Sequence, residues 1–367
     1  MKIKDVIEFI EARFPLLMQE DYDNSGLQVG DSEDRITGAL VCIDATNEVI
    51  DEAVAEGLNL VISHHPLIFG GIKQVSNNTL AGSSIIKAIR NGINIYSIHT
   101  NLDNSNSGLN KWLCNALGIA RPRILRRKTS VLRKIVTFCP AEHAGDVRTA
   151  LFNAGAGTIG NYDCCSFNTK GHGTFRALPD ANPFVGNMNQ LHFEPEERIE
   201  AIYPVHNEQA IIQAMIEAHP YEEVAYDILL LGNADNYSGS GMIGETEEQQ
   251  AYSFLQKVSR VCGIPCIRHQ GDLNKTISRV AVCGGSGSFL IADAISQKAD
   301  IFLTGDIKYH DFRSNSSEMI LADIGHFESE QFGKDLLLQM LNEKFTTFAV
   351  RKSERDTNPV GYLFNAE

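Results

Sequence analysis

Two pairs of potential metal ligands follow apolar segments that are typical of buried strands. His64 and His65 follow the apolar run 58–62, with Ser63 between them and the run. Open α/β sheets bind their ligands at the carboxyl ends of such strands. Neighbouring histidines at a strand end point to different sides, so they serve either two ions or one ion and a supporting role. His99 and Asp103 follow the run 93–98 in the same manner, and a carboxylate in that loop suits a hard divalent ion.

A third pair lies near the other end of the chain. His326 and Glu330 stand four residues apart, and the apolar residues after them recur at helical spacing. Two helical residues at this spacing lie on the same face. Each pair alone is common by chance, but parallel strands that end together would bring the three segments to one crevice. The predicted ligand set is His64, His65, Asp103, His326 and Glu330.

This mixed set of imidazoles and carboxylates favours zinc, manganese or iron over calcium. Five ligands exceed what one tetrahedral ion uses, so two divalent ions that share Glu330 are the economical arrangement. His99, Asp306 and His310 are candidates for proton transfer, because they follow strands predicted to end at the same crevice. A plain structural role in hydrogen bonding is an open alternative for each. The glycine-rich run 284–287 lacks both a dinucleotide fingerprint and a P-loop pattern, and it indicates a tight turn.

The elements that must position these residues alternate between strands and helices. The sequence predicts an amphipathic helix over 3–13, strand 38–44, helix 47–56, strand 58–62, helix 83–91 and strand 93–98. This alternation is typical of a mostly parallel sheet with helices on its faces. The far end of the chain repeats it, with strand 280–283, helix 288–298 and strand 301–303 in register at an offset of 241 residues. We therefore expect two related βα halves that form one discontinuous α/β domain.

The residues between the two halves follow a different order. The predicted elements are strand 132–138, helix 141–153, a hairpin of 164–169 with 173–178, strand 198–205, helix 207–218 and strand 225–231. The βαββαβ order predicts an inserted α+β domain of the ferredoxin-like kind. The predicted boundaries are 1–128 and 240–367 for the discontinuous domain and 129–239 for the insert.

Charge and hydropathy exclude several classes of protein. The 367 residues include 32 Lys and Arg against 46 Asp and Glu, a formal net charge of −14. Non-specific nucleic-acid binding needs a basic surface, so this charge argues against such a partner. The basic run 121–128 leaves a local basic patch as an alternative, but it is interpreted as a solvated linker. No apolar run approaches the ~20 residues of a membrane span, and no secretory signal is visible. A cytoplasmic protein whose eight cysteines are free or buried thiols is expected.

Five motifs together resemble the Nif-three-like dinuclear metal-centre family, whose bacterial members are often labelled GTP cyclohydrolase I type 2 homologs. They are DNSGLQVG at 23–30, SHHP at 63–66, HTNLD at 99–103, TGDIKYH at 304–310 and GHFESE at 325–330. Tyr22 and Phe327 depart from the family pattern, which has Trp and Tyr there, but neither is a ligand position. The resemblance implies that the five predicted ligands hold two divalent ions inside a toroidal homohexamer. It also implies that the insert is a PII-like or CutA-like domain, which makes trimer contacts and caps the ring.

Two classes of function fit these expectations. The first is a metal-dependent hydrolase of a small-molecule substrate, either a phosphoester or the purine C–N bond that the cyclohydrolase label implies. The second is a non-enzymatic metal-binding protein that acts as a regulator or scaffold through protein partners. The residues select no substrate, so the sequence leaves open whether the protein is an enzyme.

Overall fold

The N-terminal strands form a five-stranded sheet. The computed structural model describes residues 1–314 and 319–363. The strands of this sheet are β1 (Gly26–Val29), β2 (Gly38–Cys42), β3 (Leu60–Ser63), β4 (Asn94–Ser97) and β15 (Ala349–Lys352). Their order is β1-β4-β3-β2-β15, with β1 antiparallel to β4 and the other pairs parallel. Every position of β2, β3 and β4 is buried, as expected for parallel strands that are covered on both faces.

A second sheet, of six strands, comes mostly from the C-terminal part of the chain. Its strands are β5 (Ala120–Arg127), β10 (Gly239–Gln250), β11 (Arg268–Gln270), β12 (Thr276–Ser286), β13 (Ile301–Gly305) and β14 (Ile320–Asp323). Their order is β11-β14-β13-β12-β10-β5. An antiparallel edge strand is followed by three parallel strands, which is also the order β1-β4-β3-β2 of the first sheet. Both sheets therefore present a set of parallel carboxyl ends.

Apolar clusters lie on both faces of each sheet. The predicted opening helix is confirmed, and it buries Ile3, Val6 and Ile10 on one side. A cap residue fixes the start of the next helix, where Thr46 Oγ1 accepts a hydrogen bond from Val49 N. The helices are α1 (Ile3–Glu11), α2 (Asn47–Ala55), α3 (Leu80–Arg90), α4 (Thr100–Asp103), α5 (Leu109–Leu117), α8 (Ala251–Cys262), α9 (Ile291–Ser296), α10 (Tyr309–Ser314), α11 (His326–Glu330) and α12 (Phe332–Lys344).

Residues 128–236 form a compact unit of their own, and the remaining residues form the other. The elements of this unit are β6 (Leu132–Pro140), α6 (Ala144–Asn153), β7 (Phe167–Arg176), β8 (Leu191–Pro204), α7 (Glu208–Ala218) and β9 (Tyr226–Leu231). The sheet is antiparallel with the order β7-β8-β6-β9, and both helices contribute to its single apolar cluster. The chain is thus a mixed α/β protein with several sheets.

The hairpin predicted from 164–169 and 173–178 is wrong. Residues 167–176 form the single strand β7, which pairs with β8 along its whole length. The prediction placed its turn at residues 170–172, which include Gly171. A Cβ at Gly173 would instead lie 2.1 Å from Glu196 Oε2, so this glycine allows a close side-chain approach from the neighbouring strand.

The solvated linker predicted at 121–128 is also wrong for most of its length. Residues 120–127 form β5, which pairs antiparallel with β10. Its arginines meet carboxylates: Arg126 Nε donates to Asp293 Oδ2 at 2.9 Å, and Arg121 pairs with Glu245. The charged side chains concealed the strand because β5 lies at the edge of its sheet, where charged residues are common.

Two further expectations concern membrane-spanning helices and the state of the cysteines. None of the helices in the described part of the chain combines the length and the apolar character that crossing a bilayer requires. All eight cysteines are free thiols, and two of them, Cys164 and Cys266, are exposed.

Candidate metal centre

The carboxyl ends of parallel strands bring the predicted ligands to one place. His64 and His65 directly follow β3, and their backbone N–H groups donate to Cys42 O and Ile43 O at 3.1 and 2.9 Å. Asp103 ends α4, the short helix that begins after β4. His326 and Glu330 are the first and last residues of α11, which follows β14. All five side chains therefore reach one cleft from three strand ends.

One group of ligand atoms surrounds one oxygen of the Glu330 carboxylate. Glu330 Oε2 lies 2.8 Å from His65 Nε2 and 3.2 Å from His326 Nε2. The two imidazole nitrogens are 3.4 Å apart. Metal–ligand bonds of 2.0–2.2 Å place neighbouring ligands of one ion about 3–3.6 Å apart. This spacing, together with the chemistry of the donors, fits one divalent ion.

A second group surrounds the other oxygen of the same carboxylate. His64 Nε2 lies 3.7 Å from Glu330 Oε1 and 3.7 Å from Asp103 Oδ1. His64 Nε2 and Asp103 Oδ1 are both buried without a hydrogen-bond partner. Buried polar atoms rarely remain unpaired, because each costs about 1–3 kcal/mol. A bound cation would satisfy both atoms, so these residues also fit a divalent ion.

Each of the three histidines is held through its other ring nitrogen. His64 Nδ1 donates to Ile98 O at 2.9 Å, and His65 Nδ1 donates to Asp44 Oδ1 at 2.8 Å. His326 Nδ1 donates to Asp306 Oδ2 at 2.6 Å. Carbonyl and carboxylate oxygens can only accept, which assigns the proton to Nδ1 in all three rings. The Nε2 atoms therefore face the cluster, an orientation typical of histidine metal sites.

The proton-transfer candidates have different positions. His99 lines the cleft, and one of its ring nitrogens lies within 4.8 Å of ligand atoms of His64 and His65. Its Nδ1 donates to Asp23 Oδ1 at 2.8 Å, and the side chain of Asp23 is inaccessible to solvent. Asp306 is half exposed and contacts the cluster through His326. The structure does not bring His310 to this cluster: it is exposed on α10, with its ring against Tyr309.

The cleft that contains the cluster has a volume of about 440 Å³. Aromatic side chains line part of it, and Tyr22 and Phe69 lie with their ring centroids 6.3 Å apart. Phe289 lines the same cleft. The cleft therefore combines a floor of histidines and carboxylates with aromatic walls.

Three residues that support the site escaped the sequence analysis. Asp44 lies in the loop after β2 and holds His65, and Asp23 holds His99. Gly285 has φ +61°, and a Cβ there would lie 2.2 Å from Glu330 Oε1. The signal for Asp44 was its place after a buried strand, the same signal that marked His64. The role of Gly285 has no sequence signal, because it depends on the approach of another part of the chain.

Burial and charge shift the pKa values of these groups in opposite directions. Burial lowers the pKa of His65, but its hydrogen bonds with Asp44 and Glu330 outweigh this and raise it to about 10. The same balance, with Glu330 and Asp306, raises the pKa of His326 to about 9. Burial raises the pKa of Asp103 to about 8. Burial also opposes ionisation of Glu330, yet the three surrounding histidines hold its pKa well below its usual range.

These pKa shifts predict how pH affects the metal-free protein. His65 and His326 titrate near 6.5 in an unfolded chain but at about 10 and 9 in the folded chain. Their contribution to stability is therefore complete below pH 6.5 and is lost as pH rises through 9 to 10. The raised pKa of Asp103 acts in the same direction, and its contribution falls as pH rises from about 4 and is lost by about pH 8. Bound cations would replace these protons. We expect the difference in melting temperature between metal-loaded and metal-free protein to widen from pH 7 to pH 10.

Calorimetry in matched buffers measures that difference. The expectation concerns the difference and not either melting temperature alone, because other titrating groups affect both forms alike. A difference that stays constant or shrinks as pH rises would show that the histidines are not protonated in the metal-free cluster.

The fold and this cluster define an α/β protein with a candidate metal centre at converging strand ends. The model of the family described as Duf34/NIF3 (NGG1p interacting factor 3) matches residues 1–359, and the chain belongs to this family. A Halalkalibacterium halodurans protein named GTP cyclohydrolase 1 type 2 homolog is 36% identical over 98% of both chains. A Bacillus subtilis protein of the same name is 34% identical, also over 98% of both chains.

Solved structures agree with this assignment. The crystal structure of a Bacillus cereus protein related to NIF3 is similar to the chain with a TM-score of 0.86, at 34% identity and over 99% of both chains. A Staphylococcus aureus protein gives a TM-score of 0.78 at 30% identity, again over 99% of both chains. The family resemblance found in the sequence motifs is therefore confirmed over the whole chain.

Proposed function

We propose that the chain binds two divalent ions, of zinc, manganese or iron, and acts as a metal-dependent hydrolase of a small-molecule substrate. The observation that carries the proposal is the carboxylate of Glu330, whose two oxygens face two separate groups of ligand atoms. One group is completed by His65 and His326, and the other by His64 and Asp103. A single ion would leave one of the two groups without a partner.

The proposed chemistry divides between the ions and the chain. When bound, two such ions stabilise the negative charge that develops on the attacking and leaving oxygens of a hydrolytic reaction. His99 is proposed to move a proton at Nε2, because Asp23 keeps the proton of Nδ1 in place. Asp306 is proposed to hold the ring of His326 in its ligating orientation. The names of the relatives make a purine nucleotide such as GTP the first substrate to test, and phosphoesters the second.

Turnover measurements test the enzymatic part of this proposal. Metal-loaded protein is expected to hydrolyse GTP or a phosphoester, and the Glu330→Ala variant to lose at least about 100-fold in kcat/KM, since it removes a ligand that both groups use. Glu343→Ala, a change on the exposed side of α12, is the matched control and should retain full activity. Absence of turnover in protein shown to contain two ions would favour the other class, a metal-binding regulator or scaffold with protein partners.

The same proposal includes the fold of the 128–236 unit and the oligomeric state of the protein. We infer that the 128–236 unit is a ferredoxin-like insert of the PII or CutA kind, which the βαββαβ order and the sheet order β7-β8-β6-β9 support. We also infer a ring-shaped homohexamer with trimer contacts through this insert. Exposed apolar residues on its sheet, such as Leu191 and Phe193 at 63% and 61%, support self-association. Light scattering should give about six times 40.5 kDa, and a monomeric mass would contradict the ring.

The eight free thiols support a reducing compartment, the cytoplasm. The net charge of −14 gives no support to a nucleic-acid partner.

A further inference from the structure

Residues 353–362, close to the end of the described chain, contact residues that support the metal centre and are here called the C-terminal segment. It follows β15, and Ser353 N donates to Val41 O at 2.9 Å. Ser353 Oγ and Glu354 N donate to the two carboxylate oxygens of the buried Glu52 at 2.5 and 2.8 Å. Because Glu52 belongs to α2, these bonds fix the segment relative to the β2–α2 connection that contains Asp44.

Thr357 in this segment contacts the residue that holds a metal ligand. Thr357 Oγ1 donates to Asp44 Oδ2 at 2.8 Å, and Asp44 Oδ1 accepts from His65 Nδ1 at 2.8 Å. Both oxygens of Asp44 are therefore engaged, one by the C-terminal segment and the other by His65. A carboxylate held by one hydrogen bond can rotate about its last side-chain torsion, whereas one held at both oxygens cannot do so without breaking a bond.

The same segment also contacts the helix that supplies two other ligands. Asn358 Nδ2 and Tyr362 Oη donate to Glu328 Oε1 at 3.0 and 3.3 Å. Glu328 is buried and lies between His326 and Glu330 on α11. Thr357 thus contacts Asp44, which holds His65, and Asn358 and Tyr362 contact Glu328 of α11. Neither Asp103 nor His64 makes a hydrogen bond to the described part of this segment.

We infer that the C-terminal segment is a positioning element of the metal centre, and that Thr357 acts through Asp44 to orient His65 toward its ion. This inference rests on the proposed metal binding. Its effect is selective. The ion held by His65 and His326 depends on the Thr357–Asp44 contact, while the ion held by His64 and Asp103 does not.

Binding titrations of variants test the inference. Removal of a group that bonds directly to a ligating histidine costs about 10–100-fold in metal affinity. Asp44→Ala should therefore weaken the binding of the ion held by His65 and His326 by that factor. Thr357 is one contact further from His65 than Asp44 is, so Thr357→Val should weaken the binding of the same ion by about threefold to tenfold. Thr357→Ser, which keeps the hydroxyl, should restore the affinity. In the Asp44→Ala background, Thr357→Val should have no further effect, because the contact that transmits it is gone.

Controls separate this role from a general loss of stability. Thr37 Oγ1 donates to Gly57 O just before β2, at the end of that strand opposite to Asp44. Thr37→Val removes a comparable hydroxyl hydrogen bond and should leave both affinities unchanged. If Thr357→Val changes neither affinity by more than twofold, or changes both equally, the inference is overturned.

A separate readout covers the case in which the wild-type protein binds no metal, which would refute the proposed function itself. The Nδ1–H signal of His65 in a ¹H–¹⁵N spectrum of the metal-free protein reports its bond to Asp44. The positioning role requires that signal to shift or broaden in Thr357→Val and to return in Thr357→Ser. An unchanged signal would overturn the inference independently of any metal.

Discussion

Replacement of Glu330 by alanine is expected to remove both metal ions, whereas replacement of Asp103 by alanine should remove only one. Glu330 Oε2 lies 2.8 Å from His65 Nε2, and Oε1 lies 3.7 Å from His64 Nε2. Each group of ligand atoms therefore loses a carboxylate oxygen in Glu330→Ala, while Asp103 belongs to one group only. Mutation of a residue that only supports a ligand costs about 10–100-fold in metal affinity. Loss of the shared ligand itself should therefore cost more than about 100-fold at both sites.

Elemental analysis after metal loading and desalting measures this outcome as equivalents per chain. Wild-type protein should contain two, Asp103→Ala about one and Glu330→Ala close to none. Glu330→Gln, which keeps the size of the side chain but not its charge, should resemble Glu330→Ala, and Glu343→Ala should resemble the wild type. Equal losses in Asp103→Ala and Glu330→Ala would contradict the shared carboxylate.

The second large effect is expected from Gly285→Ala, a substitution that adds one methyl group. The Cβ would lie 2.2 Å from Glu330 Oε1, far inside van der Waals contact. Glu330 is nearly inaccessible to solvent, so its carboxylate can move only by giving up its place between the two groups of ligands. We expect the fold to persist and the metal content to fall below one equivalent. The left-handed backbone at φ +61° should add about 1–2 kcal/mol of strain.

Gly263→Ala is the matched control for that strain. Gly263 ends α8 with φ +68°, and a Cβ there meets no heavy atom within 4 Å. Gly263→Ala should therefore lose only the strain energy, Gly285→Ala should lose more because its Cβ also displaces the Glu330 carboxylate, and only Gly285→Ala should lose metal. Full metal content in Gly285→Ala, measured together with the unfolding free energies, would show that the Glu330 carboxylate has no fixed position.

Sequence reasoning was most successful where a local pattern determines a local structure. The alternation of apolar strands and helices around 38–98 predicted β2, β3 and β4 with the helices between them. The His-x3-Glu spacing placed His326 and Glu330 on one short helix. It failed for β5, whose arginines hid an edge strand, and for β7, which was predicted as two strands with a turn at 170–172. Strand pairing across long sequence separations decided both cases.

The sequence by itself determined which residues could ligate metal and that they follow strands, because side-chain chemistry and hydrophobic periodicity are local properties. The tertiary structure alone decided that one carboxylate, Glu330, faces two groups of donors, and that Gly285 leaves room for it. It also decided that Thr357, 313 residues from Asp44, contacts the support of His65. Such contacts depend on where the packing of two sheets places distant parts of the chain, and no pattern within a short stretch of residues contains that information.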